Sequence, residues 1–334
     1  MKNINEKKII QNIVDKTGNL SNYKMPHGLD IMKGIGDDAA YWKSGDFGYC
    51  VTSDTLVENV HFRLKYFSAD KLGEKAVAVN LSDIAAMGAN PMGMLINLGV
   101  TNDITEIWIN DFYDGITKLA LNYNCPVIGG DIVKSEIFNI SITCIGYKKL
   151  NKKNTNIFLN RESVNPGDLL YVSGYLGNAK AGLEILNLLK SDLNDSEIYL
   201  KNSHLNPVPR IELGIDLNEI GITSCIDISD GLLLDSSRLA DSSTVNINIK
   251  SSLLPISDHL KIIFPEEYKN FALEGGEDYE LLFTVSPSNQ ENIKKIAEKN
   301  ELNLSIIGEV KNGNGEIMLD GSLTDPKGWD HFDS

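Results

Sequence analysis

The chain has 334 residues, and its 46 Asp and Glu residues outnumber its 31 Lys and Arg residues, which gives a formal net charge of −15. The length predicts two domains of ordinary size, and the 42% hydrophobic and 23% charged fractions exclude a disordered chain. The acidic excess excludes a protein that binds the nucleic-acid backbone, because phosphates require a basic surface.

The lack of a recognisable targeting signal and the pattern of cysteines favour a cytoplasmic protein. Residues 1–24 are polar and lack the apolar segment of a signal peptide, and no apolar run reaches the length of a membrane span. The four cysteines, Cys50, Cys125, Cys144 and Cys225, contain no CxxC pair. We therefore expect buried, reduced thiols and no contact with a membrane.

The first half of the chain predicts strands mixed with two helices. Ser68 is a suitable N-cap for the first helix, and Gly88 and Pro91 end it. Hydrophobic patterning predicts strands at residues 47–53, 92–100, 126–128 and 138–146, and helices at 69–87 and 106–123.

A Lys- and Asn-rich stretch from residue 148 to 165 separates two domains, which we expect at 1–150 and 151–334. After it, a polar segment at 191–206, for which no element is predicted, precedes a helix that opens near 207–210. The elements do not follow a regular βαβ rhythm, so the expected fold class is α+β. Further strands are predicted at 169–173, 224–228, 245–249, 279–285 and 304–310. One further helix is predicted to end at residue 189, and two others are predicted at 230–240 and 289–299.

Residues 34–39 fit the dinucleotide-binding pattern GxGxxA, with Asp54 at a suitable distance downstream. No strand is predicted before this segment, and a short stretch broken by Gly45 follows in place of a helix. Asp37 and Asp38 would also face a bound pyrophosphate. We therefore expect no Rossmann site, and the absence of a GxxxxGK[ST] sequence excludes a P-loop.

A series of acidic turns lies where predicted strands end or predicted helices begin, most with glycine or a small hydroxyl residue beside the acid. Taken singly, each is more simply a helix cap or an Asx turn. Grouped in one cleft, their carboxylates would repel by a few kcal/mol at about 4 Å and would require cations. Glycine turns admit phosphate oxygens and hydroxyls suit Mg²⁺, so the pattern favours a nucleotide held through several Mg²⁺ ions. The turns are residues 36–38, 52–55, 80–83, 129–131, 227–231 and 275–278.

The sequence leaves open whether three other residues have a functional or a structural role. His61 lies in a loop between a strand and a helix, where it is either functional or a packing histidine. Arg161 stands in the polar linker, where an arginine is ordinarily solvated. Trp329, near the C-terminus, is more often a packing residue than a ligand platform.

Segments along nearly the whole chain carry a family resemblance. They are GIGDDAA at 34–40, SDTLV at 53–57, HF at 61–62, KAVAVNLSDIAAMGA at 75–89, GGD at 129–131, DISDGL at 227–232, GGEDYEL at 275–281 and KGWDHF at 327–332. In this order and spacing they resemble the thiamine-monophosphate kinase family, within the aminoimidazole-ribonucleotide-synthetase-like (AIR-synthase-like) superfamily. The blocks at 75–89 and 275–281 make the resemblance specific to the kinases.

The resemblance implies ATP-dependent phosphorylation of thiamine monophosphate to thiamine diphosphate by direct in-line transfer, with several Mg²⁺ ions. It implies a homodimer built around N-terminal domains that carry the metal and ATP site, with C-terminal domains completing the ATP and substrate site. No general base is expected, because the attacking phosphate oxygen is already ionised.

The resemblance also implies roles for individual residues. The implied metal ligands are Asp37, Thr52, Ser53, Asp54, Asp83, Asp131, Asp227 and Asp230. The implied ATP contacts are Tyr113, Gly130, Asp131, Arg161 and Ser229. The implied substrate contacts are His61, Glu277 and Trp329.

Two alternatives to this function remain open from the sequence. Selenophosphate synthetase or the purine enzyme of the same superfamily is the nearer one, but the former requires a reactive cysteine in an N-terminal glycine-rich segment, and no cysteine precedes Cys50. The other is a non-catalytic acidic protein that binds divalent cations, although no EF-hand spacing occurs.

Overall fold

The structure, a computed structural model, describes residues 6–18, 29–150 and 157–331. Two sheets form its framework, one in each half of the chain, and helices pack against both. Its helices and strands alternate irregularly, and the α+β class expected from the sequence is confirmed.

The first half builds a six-stranded sheet in the order β1-β2-β3-β6-β4-β5, in which only the β4–β5 pair is parallel. Along β3, buried residues alternate with more exposed ones, as expected where one face of a sheet covers a core. The elements are α1 (Glu6–Thr17), β1 (Leu29–Lys33), β2 (Ala40–Ser44), β3 (Phe47–Val57), α2 (Ala69–Ala86), β4 (Asn90–Val100), α3 (Glu106–Asn122), β5 (Val127–Lys134) and β6 (Asn139–Lys149).

The second half builds a seven-stranded sheet in the order β13-β12-β9-β11-β7-β10-β8, in which β9 and β12 are parallel. Its first elements are β7 (Leu169–Ser173), α4 (Asn178–Leu188), α5 (Asp195–Leu205), α6 (Ile211–Glu219), β8 (Cys225–Asp227), α7 (Leu232–Ser243) and β9 (Val245–Ile249). Those that follow are α8 (Asp258–Ile263), α9 (Tyr268–Glu274), β10 (Leu281–Val285), α10 (Gln290–Lys299), β11 (Leu304–Asn312), β12 (Ile317–Leu319) and β13 (Ser322–Leu323).

Helix α2 is the central element between the two halves. Fourteen of its 18 residues are buried, as expected for a helix that is largely apolar all round. It packs against α3 of the first half and against α6 and β8 of the second. Helices α3 and α6 approach the backbone of α2 closely because each has a glycine at the contact. A Cβ at Gly115 of α3 would lie 1.8 Å from Asp70 O, and one at Gly214 of α6 would lie 2.0 Å from Ala85 O.

The local structure departs from the sequence expectations at three places. A strand, β1, does precede residues 34–39, but β2 follows directly and pairs antiparallel with it, so the segment is a hairpin connection and no βαβ unit forms. The polar segment at 191–206, for which no element was predicted, contains α5, which begins with a capping box between Asn194 and Glu197. Ser68 takes the N-cap position of α2, but its side chain makes no capping hydrogen bond.

The remaining sequence expectations concern thiols, membranes and the domain boundary. All four cysteines are free and buried, as predicted. Within the described ranges, no helix is long and apolar enough to cross a membrane. The boundary expected at residue 150 adjoins residues 151–156, which lie outside the described part, and it stays a prediction.

Candidate active site

Three carboxylates from distant parts of the chain meet between the two halves. Asp38 lies in the turn between β1 and β2, Asp83 in the last turn of α2, and Asp227 at the end of β8. Each offers an oxygen within 4.8 Å of the other two. The first half therefore supplies two of these groups and the second half supplies the third.

Hydroxyl groups hold two of these carboxylates in place. Thr52 Oγ1, on β3, donates a hydrogen bond to Asp83, and Ser82 Oγ donates to Asp227 Oδ2 over 2.6 Å. Asp38 Oδ2 is buried and accepts no hydrogen bond from any described residue. Because the donors are carboxylate and hydroxyl oxygens and one buried oxygen lacks a proton donor, the residues present fit a hard cation such as Mg²⁺.

Burial, together with repulsion between neighbouring carboxylates, raises the pKa values of several acids in this region. Burial, reinforced by neighbouring carboxylates, raises the pKa of Asp83 and of Asp227 well above the ordinary value. Burial and the charges of Asp230 and Asp38 raise the pKa of Asp54 to about 6. The protein alone does not compensate these charges, and a bound cation would do so.

Two arginines partly offset the charge at the edges of the cluster. Arg161 forms an ion pair with Asp38, and its Nε lies 4.0 Å from Asp37 Oδ1. Even so, burial and the Asp38 charge raise the pKa of Asp37 to about 7. Arg161 is thus a largely buried site residue, with a side chain only 18% exposed, and the ordinary interpretation of a solvated linker arginine is wrong.

Arg238 is the second arginine. Its guanidinium bridges Asp230 Oδ2 at 2.7 Å and Asp235 Oδ1 at 2.5 Å. The other oxygen of Asp235 accepts hydrogen bonds from the backbone N–H groups of Asp230, at 3.0 Å, and Gly231, at 3.1 Å. These contacts fix the turn that follows β8 and its last residue, Asp227, and this turn carries Ser229 and Asp230.

A second group, which contains three predicted residues and His331, lies at the other side of this turn. Glu277 N donates to Ser229 O over 2.7 Å, and Trp329 N donates to Asp230 O over 2.8 Å. The His61 and His331 rings lie 5.0 Å apart, and His331 contacts Trp329 edge to face. We call this group, Glu277, Trp329, His61 and His331, the aromatic end of the site. Nearly half of the Trp329 surface remains exposed, so its ring is open to a ligand.

Histidine 61 is held in a neutral form by its surroundings. Its Nδ1 accepts a hydrogen bond from Val57 N over 3.0 Å. Burial lowers its pKa, and the adjacent His331 lowers it further. An uncharged His61 ring can pack against another aromatic ring without adding a positive charge to this part of the site.

Four other predicted residues lie apart from the carboxylate cluster. The Ser53 side chain points to the opposite face of β3 and lies 3.1 Å from Thr143 Oγ1. Asp131 is exposed on β5, three strands from β3 and about 14 Å from it at roughly 4.8 Å per strand. Gly130 precedes it on that edge strand, and Tyr113 packs edge to face on Phe112 in α3.

Family models match both halves of the chain. The model for the AIR synthase related protein, N-terminal domain, matches residues 36–147, and that for the C-terminal domain matches residues 165–320. The thiamine-monophosphate kinase of Buchnera aphidicola subsp. Acyrthosiphon pisum is 39% identical over 91% of this chain and 94% of its own length. That of Aquifex aeolicus is 38% identical over 90% and 93%. The chain belongs to the thiamine-monophosphate kinase family.

A solved structure of a family member supports the same assignment. AaThiL complexed with AMPPCP and TMP is 34% identical and superposes with a TM-score of 0.86, covering 99% of this chain and 98% of that one. The resemblance drawn from the sequence motifs is confirmed, and it favours the family over the other superfamily enzymes considered above.

Several residues of the site were not singled out from the sequence. Asp38 adjoins Asp37 in the same acidic turn, and the run of two acids after a glycine was the available signal. Ser82 precedes Asp83 in the block that defines the family, yet only the fold shows that it reaches Asp227. Lys75 directly precedes the apolar run from Ala76 to Val79 in α2, and a charge beside such a run indicates a buried partner.

Proposed function

We propose that the protein transfers the γ-phosphoryl group of ATP to the phosphate of thiamine monophosphate, which yields thiamine diphosphate and ADP. Family membership supports this proposal, because AaThiL was solved with an ATP analogue and TMP together. The observation that carries it is the group of carboxylates, Asp38, Asp83 and Asp227, assembled from both halves beside an exposed aromatic end.

Magnesium ions are the proposed partners of this cluster. Asp38, Asp83 and Asp227 would hold them directly, with Asp54 and Asp230 close by in the same charged region. When bound, Mg²⁺ supplies positive charge that neutralises the phosphate oxygens during transfer. An acidic protein can then bind two anionic substrates without a basic pocket.

The proposed transfer is direct and in line. A phosphate oxygen of thiamine monophosphate forms the new P–O bond as the bond between the γ-phosphorus and the bridging oxygen of ADP breaks. The attacking oxygen of thiamine monophosphate is ionised at neutral pH, so the protein has no proton to remove from it. The chain's own part is to orient the two substrates, with Arg161 and Ser229 on the ATP side and His61, Glu277 and Trp329 on the thiamine side.

A homodimer is the proposed assembly, and strand β5 is its proposed contact. All eight residues of β5 are exposed, among them Ile128 at 56%, Ile132 at 58% and Val133 at 54%. An apolar strand at the edge of a sheet is ordinarily covered, because its free backbone groups and side chains favour association. Burying this edge in a dimer would bring Asp131 and Gly130 into the assembly.

Sedimentation tests the dimer. Ile132→Asp should dissociate it, because the contact would then bury two like charges, whereas Leu188→Asp, which changes a leucine 70% exposed on α4, should leave it intact. A dimer that persists in Ile132→Asp would contradict the use of β5.

The use of ATP and the four buried free thiols favour a cytoplasmic location.

The activity is tested by incubating purified protein with ATP, Mg²⁺ and thiamine monophosphate and separating the products by chromatography. We expect thiamine diphosphate and ADP in equal amounts, no product with excess EDTA, and no product when unphosphorylated thiamine replaces the monophosphate. Failure to form thiamine diphosphate, in parallel with an active family member, would reject the proposed function.

A further inference from the structure

Lys75 is a lysine with no solvent exposure on α2, a helix in which 14 of 18 residues are buried. Its side chain is 0% exposed. A fully buried lysine is rare unless its charge is paired, because removing an ammonium group from water costs several kcal/mol. Its partners therefore identify what the charge is for.

The partners of Lys75 all come from around the aromatic end of the site. Its Nζ lies 3.1 Å from Glu277 Oε1 and donates a hydrogen bond to His204 O over 3.1 Å. It also lies 5.5 Å from the centre of the Phe67 ring. Glu277 is the only one of these three groups that carries a formal negative charge, so the ion pair is with that carboxylate.

Glu277 is held in a conformation that requires support. Its backbone φ is +68°, in the left-handed region that is unfavourable for residues other than glycine. One carboxylate oxygen faces Lys75, and the other lies 3.1 Å from His204 Nδ1. The side chain is 24% exposed, so it remains accessible although both of its carboxylate oxygens have protein partners.

The charges around Glu277 keep its carboxylate ionised. Burial alone would raise the pKa of Glu277, but the adjacent Lys75 ammonium lowers it below the ordinary value. Burial and the nearby Lys75 charge lower the pKa of His204 to about 4, so at neutral pH that ring is uncharged. The formal charge that balances Glu277 at this position is therefore that of Lys75.

We propose that Lys75 is a positioning residue for thiamine monophosphate, which acts by orienting the Glu277 carboxylate toward the substrate. The inference rests on the proposed function, in which Glu277 contacts that substrate. Lys75 cannot touch the substrate itself, because its side chain has no exposed surface. Thiamine monophosphate carries an aminopyrimidine and a cationic thiazolium, and a carboxylate held in one orientation is suited to either group.

Fold stability alone does not account for this pair. Apolar side chains of similar volume often replace a buried ion pair without loss of stability, so packing does not require a lysine. The pair instead joins α2 of the first half to the glycine-rich turn at 275–278 of the second half, where the substrate side is proposed to form.

The test compares steady-state kinetics of Lys75→Met, Glu277→Gln and the double variant with the wild type. Lys75→Met should raise KM for thiamine monophosphate by about 10-fold or more, while KM for ATP changes less than about twofold. Because Lys75 acts through Glu277, the double variant should be no worse than Glu277→Gln alone. Lys118→Met, which removes a surface lysine paired with Glu74 at 2.8 Å, is the matched control and should leave both KM values unchanged.

The outcomes separate this inference from the proposed function. An active wild type with an unchanged KM for thiamine monophosphate in Lys75→Met, or a double variant whose effects add, would overturn the positioning role alone. An equal rise in both KM values with a lower Tm would indicate a structural role and also overturn it. An inactive wild type would overturn the function and the inference together. Lys75→Gln, which keeps N–H donors, replaces Lys75→Met if the latter does not fold.

Discussion

Asp54→Asn is the sharpest perturbation of the carboxylate cluster. Asp54 lies on β3, and the charges of Asp230 and Asp38 act on it in a buried setting. The substitution removes one negative charge with almost no change in volume. The backbone hydrogen bond from Asp54 N to Asn80 Oδ1, at 3.2 Å, does not involve the altered side chain and is retained.

The expected effect on stability follows from the pKa of Asp54, which rises from 3.8 to about 6 on folding without metal. A raised pKa in the folded state stabilises the native protein below the unfolded value, and this contribution is lost as the pH rises through 6. The shift corresponds to about 3 kcal/mol in the free energy of unfolding. Relative to Asp54→Asn, the metal-free wild type should therefore lose about 2 kcal/mol of this between pH 4 and pH 7.

Urea denaturation of chelator-treated protein at a series of pH values measures this difference. Asp46→Asn, which removes a charge from the exposed turn between β2 and β3, is the control for loss of one carboxylate. Mg²⁺ with ATP at 100 times their dissociation constant should stabilise the wild type by about 2.7 kcal/mol and Asp54→Asn far less, with turnover abolished. Parallel pH curves for wild type and variant, or equal stabilisation by Mg²⁺ and ATP, would refute the reasoning.

Three further substitutions test other parts of the site. Arg161→Met should lower the free energy of unfolding by about 3–5 kcal/mol, because it leaves its paired carboxylates buried without a cation; an unchanged urea midpoint would contradict this. Gly130→Ala should lower Tm by several degrees, because its Cβ would lie 1.8 Å from Ile96 O at a φ of +151°, whereas Gly129→Ala should be tolerated in the same thermal scan. Trp329→Ala, at an exposed position, should leave Tm unchanged yet raise KM for thiamine monophosphate about 10-fold; an unaltered KM would remove the ring from the substrate site.

The sequence predicted those elements whose patterning is local and strong. Helix α2 and strand β7 were expected within one residue of their observed bounds. Ser68 marks the start of α2 and Gly88 its end, and β7 is a short apolar run, so each segment leaves few alternatives. Helix α5 was missed since its sequence is mostly polar and its buried residues, such as Leu200, meet their partners only in the folded chain. The capping box at Asn194 was a local signal for this helix.

The candidate site divides in the same way. Motifs placed Asp83 and Asp227 in one site, and the structure brings them together. Pairings across the chain could not be predicted in this way: Arg161 reaches Asp38 over 123 positions, and Lys75 reaches the carbonyl of His204 over 129. Such contacts depend on how the two halves pack, which no short motif encodes.

Helix α2 has a further consequence as a rigid spacer. Lys75 contacts Glu277, and Ser82, seven residues later on nearly the same face, contacts Asp227. At 1.5 Å per residue the two positions are about 10.5 Å apart along the axis. The helix thereby sets the separation between the turn proposed for thiamine and the carboxylates proposed for Mg²⁺. One residue inserted between Lys75 and Ser82 would rotate one of them by about 100° around the helix axis. The distance between the two proposed binding regions would then no longer fit the two substrates.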